Sequence, residues 1–549
     1  MAIALKLCAI WLKPFLVPLS LFLNPCFLLI CCYAGSMLLT AERLLHYQRC
    51  NRRTFLDVYG NPTEKAPISD FQVKLSQERL AHQQKILEAL ILKGASPPHQ
   101  PNYHRRDWKA GAKATLELMQ QGVERIYQGV LLTTMEVQGR ELISSSESVN
   151  PEQVTLISHP DLLIKQPGQS DFGDWLYVPL DIHLGKRPKQ EYQIIAAYHT
   201  QLVASLQGAW PEKAWLNLRG KGEYEVDLWR WLPQMQIVLD ECLQMLLEER
   251  SPEVFISRQQ CSLCPWLSQC YAIAKSQQHL SLIPGVTPSR YQYLQTVGLT
   301  TLEVLAEANP VYLEPELETK IAHQMVQQAK SVLEQRAFLL PDQFTNPTLN
   351  LPTAPIELYF DIEAEPSINL DYLLGVLVID RQAKTEKFYP LVAEHPDQEA
   401  FIWQQFLELV WTYPEAPIFH FANYEMDTIK RLAKLYQTPD SRVNPVLDRL
   451  VDIHEYVTEK VTLPVEGYSL KAIASWIGFT WRDPQANGSQ SICWYDDWLK
   501  TGDRNLLDAI LRYNEDDCRA TYQVKDWLAN FLNNCELTSR EVIEVSNKS

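Results

Sequence analysis

The sequence predicts an α/β protein of several domains, and three observations lead to this fold class. The chain has 549 residues, more than one hydrophobic core usually organises, since single domains hold about 100 to 200 residues. Strand-like apolar runs alternate with segments of helical periodicity along most of the chain. A segment rich in Pro and Asn, PDQFTNPTLNLPTAP at 341–355, breaks both patterns and indicates a linker before a separate carboxyl-terminal unit.

The composition excludes several classes of protein. Hydrophobic residues make up 46% of the chain, which rules out a wholly disordered or collagen-like protein. The 50 Lys and Arg against 66 Asp and Glu give a formal charge of -16, the opposite of a protein that holds a polyanion by bulk electrostatics. Nucleic acid is therefore expected to bind only locally, where divalent cations on clustered carboxylates reverse the field.

The first 36 residues contain no Asp or Glu and are dominated by apolar residues. One interpretation is a membrane anchor, because the stretch from Phe15 to Ala34 has about the 20 residues that a bilayer requires. The other is that translation begins at Met37, after which the chain is typical of a cytoplasmic protein. Neither interpretation makes this segment part of the fold.

Changes of pattern divide the chain into six segments. In the third, Gly285 and Gly298 open turns typical of a helix-hairpin-helix, whose backbone N–H groups can face phosphates, although a plain helical connector explains the segment equally well. The segments are a hydrophobic leader (1–36), a first α/β domain (37–279), a small helical connector (280–340), the linker (341–355), a second α/β domain (356–535) and a tail (536–549).

Three cysteines form a C-x2-C-x5-C cluster: Cys261, Cys264 and Cys270. This spacing brings three thiolates around one metal ion or iron-sulfur cluster. A closed site needs a fourth ligand, and Cys50, far away in the sequence, is the candidate.

Two pairs of residues near the carboxyl terminus predict a metal site. Asp361 and Glu363 lie two apart in the apolar strand IELYFDIEAE, so both project from one face. Tyr513 and Asp517 lie four apart in a helical pattern, again on one face, whereas Asp516 points about 100° away and is expected to be solvated. Desolvated carboxylates require cations, and this arrangement suits phosphodiester hydrolysis by two metal ions.

The strand D-x-E, a middle motif and the terminal Y-x3-D resemble the DEDD exonucleases of the DnaQ-like, ribonuclease H-fold group. With SLKAIASWIGF at 469–479 before the last helix, the chain is similar to the YprB-like branch of that group. The middle motif departs from the family pattern, because Glu425 stands where Asp is usual; Asp427 is a nearby alternative and Asp452 a further acid. The resemblance covers about residues 356–530 and implies a ribonuclease H-like domain with a mixed sheet. It further implies that Asp361, Glu363, Glu425 and Asp517 carry Mg²⁺ or Mn²⁺ and that Tyr513 orients the attacking water.

The first domain resembles the RecB-like nucleases with a cysteine cluster, which have a PD-(D/E)XK-like α/β fold. The resemblance implies that Cys50, Cys261, Cys264 and Cys270 hold a 4Fe-4S cluster, with structural Zn²⁺ as the alternative. It implies a possible second nuclease site formed by Glu117, Asp161, Asp181 and His183. His183 occupies the position of the family's Lys and carries no fixed charge at neutral pH.

Together these observations predict a metal-dependent nuclease that acts on DNA, more specifically on single strands, with RNA as the other candidate substrate. The second domain is expected to cleave as a 3'-5' exonuclease, while the first domain binds DNA. The alternative is a nucleic-acid-binding or scaffold protein in which neither nuclease fold is catalytic.

Overall fold

A computed structural model describes residues 37–105, 107–137, 152–341 and 351–546. The hydrophobic leader, most of the predicted linker and the end of the tail lie outside these residues. The chain divides into two compact units, one formed by Met1–Val254 and Arg258–Gln269 and the other by Phe255–Ser257 and Cys270–Ser549. None of the helices in the described ranges has the length and apolar character needed to cross a membrane.

The first unit contains two sheets. The larger has the strand order β2-β5-β6-β7-β8, in which only β6 and β7 run parallel, and the smaller has the order β1-β4-β3. The strands are β1 (Met37–Thr40), β2 (Arg125–Tyr127), β3 (Leu131–Val137), β4 (Glu152–Ser158), β5 (Leu162–Ser170), β6 (Gly173–His183), β7 (Ala214–Leu218) and β8 (Gly222–Val226).

Helix α5 is the central helix of the first unit, since most of its side chains are buried, among them Tyr198 and Leu202. It packs with α1 and α6 around one hydrophobic core. The helices are α1 (Ala41–Arg49), α2 (Asn51–Tyr59), α3 (Asp70–Leu92), α4 (Trp108–Gln120), α5 (Gln190–Gln207), α6 (Leu228–Leu247) and α7 (Arg258–Cys261); α8 (Leu267–Ser276) includes the division between the units.

The second unit is built around a five-stranded sheet of order β12-β11-β10-β13-β14. Strands β10, β11 and β12 are antiparallel, and β13 and β14 run parallel to β10, so the sheet is mixed. The strands are β9 (Phe338–Leu339), β10 (Ile356–Glu365), β11 (Leu370–Asp380), β12 (Thr385–Val392), β13 (Ile418–His420), β14 (Leu450–Asp452) and β15 (Val461–Thr462). The predicted class, an α/β protein of several domains with a mixed sheet in the carboxyl-terminal one, is confirmed.

Helices cover both faces of this sheet, and the alternation of side chains along β10 separates two cores. Leu358 and Phe360 face one core, while Tyr359 faces the other, to which α18 contributes. The helices of the unit are α9 (Pro288–Thr296), α10 (Leu302–Glu307), α11 (Thr319–Glu334), α12 (Glu399–Thr412), α13 (Tyr424–Leu435), α14 (Asp440–Leu447), α15 (Ile453–Lys460), α16 (Leu470–Trp476), α17 (Gly488–Thr501) and α18 (Arg504–Ser546).

A buried ion pair sets the position of α18 on β10. The ammonium group of Lys525 is 2.7 Å from a carboxylate oxygen of Glu357, and the two residues are 2% and 1% exposed. Arg381 and the hydroxyl of Tyr359 also donate to this carboxylate. Because buried charges are costly without partners, this arrangement favours one register of the helix on the strand.

The helical connector belongs to the second compact unit, although the sequence places the domain boundary after it, at 341–355. Strand β9 pairs with β15, and the side chain of Gln328 on α11 donates to the carbonyl of Leu463 and accepts from the hydroxyl of Tyr468. The linker composition gives no sign of these contacts, because they are made by residues on either side of it. The helix-hairpin-helix assignment of the connector stays a prediction.

Candidate metal centre

Strand β10 and helix α18 bring three carboxylates together. Asp361 and Glu363 follow Tyr359 at alternate positions of β10, on the face that α18 covers. Asp517 lies on α18, and one carboxylate oxygen from each of the three residues lies within 4.8 Å of the others. Glu363 is buried, while Asp361 and Asp517 are partly exposed. We call this set the acidic triad.

The triad is electrostatically unfavourable without a cation. Burial raises the pKa of Glu363 to about 8, and Asp517 adds to the shift. Burial also raises the pKa of Asp517 to about 7, although the neighbouring Trp481 and Tyr513 act in the opposite direction. The pKa of Asp361 is raised well above its usual range, first by loss of hydration and then by the neighbouring carboxylates. Hard divalent cations prefer such oxygen ligands, so the donor set fits Mg²⁺ or Mn²⁺.

The structure places Glu425 next to the acidic triad and turns Asp427 away. Glu425 is 4% exposed, and its negative charge contributes to the raised pKa of Asp361. Its carboxylate lies 3.5 Å from Nδ1 of His420. Asp427, two residues further along the first turn of α13, is exposed.

Asp452 supports the turn that leads into α13. Its Oδ1 accepts hydrogen bonds from the backbone N–H groups of Ala422 at 2.8 Å and His454 at 2.9 Å. Ala422 has a φ of 72°, a conformation that non-glycine residues adopt only where the surroundings impose it. Asp452 therefore helps to position Glu425 through the backbone, and its Oδ1 is occupied by these two donors.

The hydroxyl of Tyr513 lies beside the triad and interacts electrostatically with Asp517. Burial and the three carboxylates all raise the pKa of Tyr513 far above its usual range. The phenol is therefore protonated at neutral pH and acts as a hydrogen-bond donor at the edge of the site.

Three further side chains, which sequence reasoning did not identify, contact the triad. The amide of Asn514 donates to Oδ2 of Asp361 at 2.6 Å, and the indole of Trp481 donates to Oδ1 of Asp517 at 2.7 Å. Ser491 on α17 lies near Glu363 and opposes the rise of its pKa, and the Ser491 hydroxyl is 2.6 Å from that of Tyr372. None of these residues is a defining position of a spaced motif.

The expectation that Asp516 is solvated is wrong. The residue is 4% exposed, and its carboxylate accepts hydrogen bonds from the backbone and the guanidinium group of Arg482 at 2.9 and 2.7 Å. Helix geometry correctly turns Asp516 away from Asp517, but the loop carrying Arg482 covers that side of α18. Asp516 thus anchors the loop from which Trp481 reaches the triad.

In the first unit, Asp161 and Asp181 lie together at the centre of the larger sheet. Oδ2 of Asp161 accepts from the backbone of Ile182 at 2.6 Å, and its Oδ1 accepts from Gln83 at 2.6 Å. The backbone N–H of Asp161 is 3.4 Å from Oδ1 of Asp181. Burial raises the pKa of both carboxyls to about 7. Both oxygens of Asp161 therefore already have protein donors.

Glu117 and His183, the other two residues of the predicted second nuclease site, do not share the surroundings of Asp161 and Asp181. The Glu117 side chain is 56% exposed and lies 3.9 Å from Lys113 on the same helix, and in the described part of the chain no hydrogen bond or ion pair joins it to Asp161 or Asp181. His183 stacks on Tyr192 with the ring centres 3.9 Å apart, and burial lowers its pKa to about 3. A neutral imidazole does not supply the positive charge of the Lys that it replaces.

The first unit holds three of the four cysteines of the predicted cluster. Cys50 separates α1 from α2, Cys261 ends α7, and Cys264 follows it. Burial raises the pKa of the Cys264 thiol to about 11, and the neighbouring Cys50 and Cys261 add to the shift, whereas Arg53 opposes it. Cys270 lies on α8. The ligand set itself stays a prediction.

Comparison with known proteins identifies one region. A family model described as the RNase H superfamily matches residues 358–529. No curated protein matches the chain. The matched region contains the whole five-stranded sheet apart from the first residues of β10, and it includes the acidic triad. Residues 358–529 therefore form a ribonuclease H-like domain whose acidic residues fit a divalent cation.

Proposed function

We propose that this protein is a metal-dependent nuclease that hydrolyses phosphodiester bonds of DNA in its carboxyl-terminal domain, as a 3'-5' exonuclease with a two-metal mechanism. One observation carries the proposal: carboxylate oxygens of Asp361, Glu363 and Asp517 lie within 4.8 Å of one another. Their raised pKa values mean that ionisation of these carboxyls is unfavourable in the folded protein, and a bound divalent cation would favour the ionised form.

The residues around the triad have distinct parts in this proposal. Asp361, Glu363 and Asp517 hold the cations, and Glu425 extends the ligand set beside Asp361. The bound cations neutralise the phosphate and lower the pKa of water. The hydroxyl of Tyr513, kept protonated by its surroundings, lies beside Asp517 and orients the attacking water.

The order of the acids in the chain supports exonuclease activity at 3' ends. A strand D-x-E, a middle acid and a terminal Y-x3-D resemble the DnaQ-like group, and the matched superfamily covers the same residues. Single-stranded DNA is the proposed substrate. The net charge of -16 makes binding along an extended duplex unfavourable.

We propose that the first domain, a RecB-like domain with a PD-(D/E)XK-like fold, binds DNA without cutting it. Support comes from Asp161, whose two oxygens accept from Ile182 and Gln83, and from His183, which is neutral where the family has Lys. Asp181→Asn is therefore expected to leave cleavage unchanged. Cleavage that is lost in this variant and kept in Asp517→Asn would show that the first domain is the one that cleaves DNA.

The proposed iron-sulfur cluster has its own test. Protein purified without oxygen should be brown and contain iron and sulfide, and Cys50→Ser should lose both. Cys242→Ser is the control, because Cys242 is a buried cysteine of α6 outside the predicted ligand set. Colourless protein that contains zinc would favour the structural zinc site instead.

The nuclease proposal is tested with single strands labelled at either end. Wild type with Mg²⁺ or Mn²⁺ should release mononucleotides first from a 3' label and progressively shorten a 5'-labelled strand, while Asp361→Ala and Asp517→Ala should do neither. RNA of the same sequence tests the sugar preference. Binding of DNA without degradation under all metal conditions would show a binding or scaffold protein instead.

A further inference from the structure

Asn514 is a fully buried polar residue in contact with the acidic triad. It follows Tyr513 on α18, and its side chain is completely buried. Its amide nitrogen donates to Oδ2 of Asp361 at 2.6 Å. A carboxylate oxygen only accepts, so the nitrogen of the amide must face Asp361 and the amide oxygen must face the opposite way.

On that opposite side lies Gly375, at the position of β11 that pairs with Asp361. A Cβ atom at Gly375 would overlap Oδ1 of Asn514 and lie 2.8 Å from its Cγ. Gly375 is not among the glycines with positive φ, so its backbone conformation does not require glycine. The absence of a side chain at this position is what makes room for the amide of Asn514.

The amide of Asn514 occupies this space at a cost in free energy. Oδ1 of Asn514 is buried and, among the described residues, accepts no hydrogen bond. A buried polar atom without a partner is unfavourable, and an apolar residue of similar size would avoid the penalty. The contact of Asn514 with Asp361 is therefore the feature that accounts for an asparagine here.

We propose that Asn514 is a positioning residue, which holds one oxygen of Asp361 so that the other is directed to a divalent cation, and that Gly375 is the space this requires. The inference rests on the proposed metal-dependent function and deepens it. Hydrogen bonds that orient a metal ligand from behind change metal affinity about 10- to 100-fold when they are removed.

Mn²⁺ titration without nucleic acid tests the inference, with bound ion followed by electron paramagnetic resonance. Asn514→Ala should weaken Mn²⁺ binding about 10- to 100-fold, with no more than a small change in single-stranded DNA affinity measured separately. Asn505→Ala is the matched control, since Asn505 is exposed on the same helix and bonds only to Asp503 among the described residues. It should bind Mn²⁺ as wild type does.

Gly375→Ala tests the same positioning role if Asn514→Ala fails to fold. The added methyl group should displace the Asn514 side chain, lower the melting temperature and weaken Mn²⁺ binding. Removing Asn514 as well opens the space again, so Gly375→Ala combined with Asn514→Ala should melt higher than Gly375→Ala alone. Simple additivity of the two substitutions would refute the role of Gly375.

The outcomes separate this inference from the function on which it rests. Wild type that binds Mn²⁺, together with an Asn514→Ala variant that is folded and binds Mn²⁺ equally well, would overturn the positioning role and leave the nuclease proposal standing. Wild type that binds no Mn²⁺ would overturn the metal-dependent function and the positioning role with it.

Discussion

The indole N–H of Trp481 donates a hydrogen bond of 2.7 Å to Oδ1 of Asp517, although the two residues are 36 positions apart. Arg482, the next residue, is fixed to α18 because its backbone and its guanidinium group both donate to Asp516. The loop after α16 is therefore clamped to the helix that carries Asp517. This contact fixes the orientation of one carboxylate of the acidic triad.

Trp481→Phe tests the value of this hydrogen bond. Phenylalanine preserves an aromatic ring against Phe479 but removes the N–H group. We expect Mn²⁺ affinity to fall about 10-fold, measured by titration without nucleic acid. Trp498→Phe is the control, because its indole donates to the backbone carbonyl of Glu394 instead. Equal losses in both variants would mean that the effect comes from packing.

Glu425 and Asp427 allow a matched pair of substitutions on one helix. Glu425→Gln removes a buried charge next to Asp361 and should lower kcat/KM about 100-fold or more, because an ion loses a ligand or a nearby counter-charge. Asp427→Asn changes an exposed acid and should leave the rate within about two-fold of wild type. Rates on a labelled single strand measure both. The reverse pattern would make Asp427 the functional acid of the middle motif.

Tyr513→Phe separates water orientation from metal binding. The variant loses the hydroxyl beside Asp517 and retains the ring, so kcat should fall about 100-fold. Mn²⁺ affinity should change much less, since all the carboxylates remain. Tyr522→Phe on the same helix is the control, because its hydroxyl lies 3.5 Å from Arg381, away from the triad. A normal kcat in Tyr513→Phe would exclude the proposed role.

The contribution of Glu363 to the stability of the metal-free protein should fall as the pH rises from about 4 to about 8. The pKa of Glu363 is about 8 when folded, while an unfolded Glu titrates near pH 4.3. Between these values Glu363 binds more protons in the folded state than in the unfolded state, so its contribution to the free energy of unfolding falls with increasing pH. The loss should be a few kcal/mol, since one pKa unit corresponds to about 1.4 kcal/mol.

Chemical denaturation in the presence of a chelator measures this dependence. Glu363→Gln should flatten it, because glutamine does not titrate, and the same variant should be more stable than wild type at pH 8. Added Mg²⁺ or Mn²⁺ should stabilise wild type most at the alkaline end, where the carboxylates are ionised. A Glu363→Gln variant with the same pH dependence of stability as wild type would contradict the raised pKa of Glu363.

The sequence contains enough information to predict the two elements that form the triad. Strand periodicity puts Asp361 and Glu363 on one face, and helix periodicity does the same for Tyr513 and Asp517. Both patterns are local, and the structure then brings the two elements together through long-range contacts such as the ion pair of Lys525 with Glu357. The superfamily match to residues 358–529 agrees with this assignment.

Residues that support the triad from outside these motifs could not be predicted in the same way. Trp481 reaches Asp517 from a loop, and the direction of its indole depends on the pairing of Arg482 with Asp516. Asn514 follows Tyr513, but helix periodicity alone does not show what lies opposite it. One signal was present: a glycine within the apolar strand YLLGVLVID indicates close approach of another group, which here is Asn514.

The predicted second nuclease site shows the limit of a family pattern. Asp161 and Asp181 do come together, as the spacing of β5 and β6 allows, whereas Glu117 points to solvent beside Lys113. Assigning an acid from its helix requires knowing which helical face meets the sheet. The helix of Glu117 buries Thr115 and Met119, which places the intervening Glu117 on the outer side.

Anomalous diffraction from crystals grown with Mn²⁺ and a short single strand of DNA tests the central claim most directly. We predict Mn²⁺ bonded to Asp361, Glu363 and Asp517, with the 3' end of the strand beside it and Glu425 and Tyr513 facing the terminal phosphodiester. Mn²⁺ bound elsewhere, or an acidic triad without an ion while the strand occupies another surface, would contradict this account.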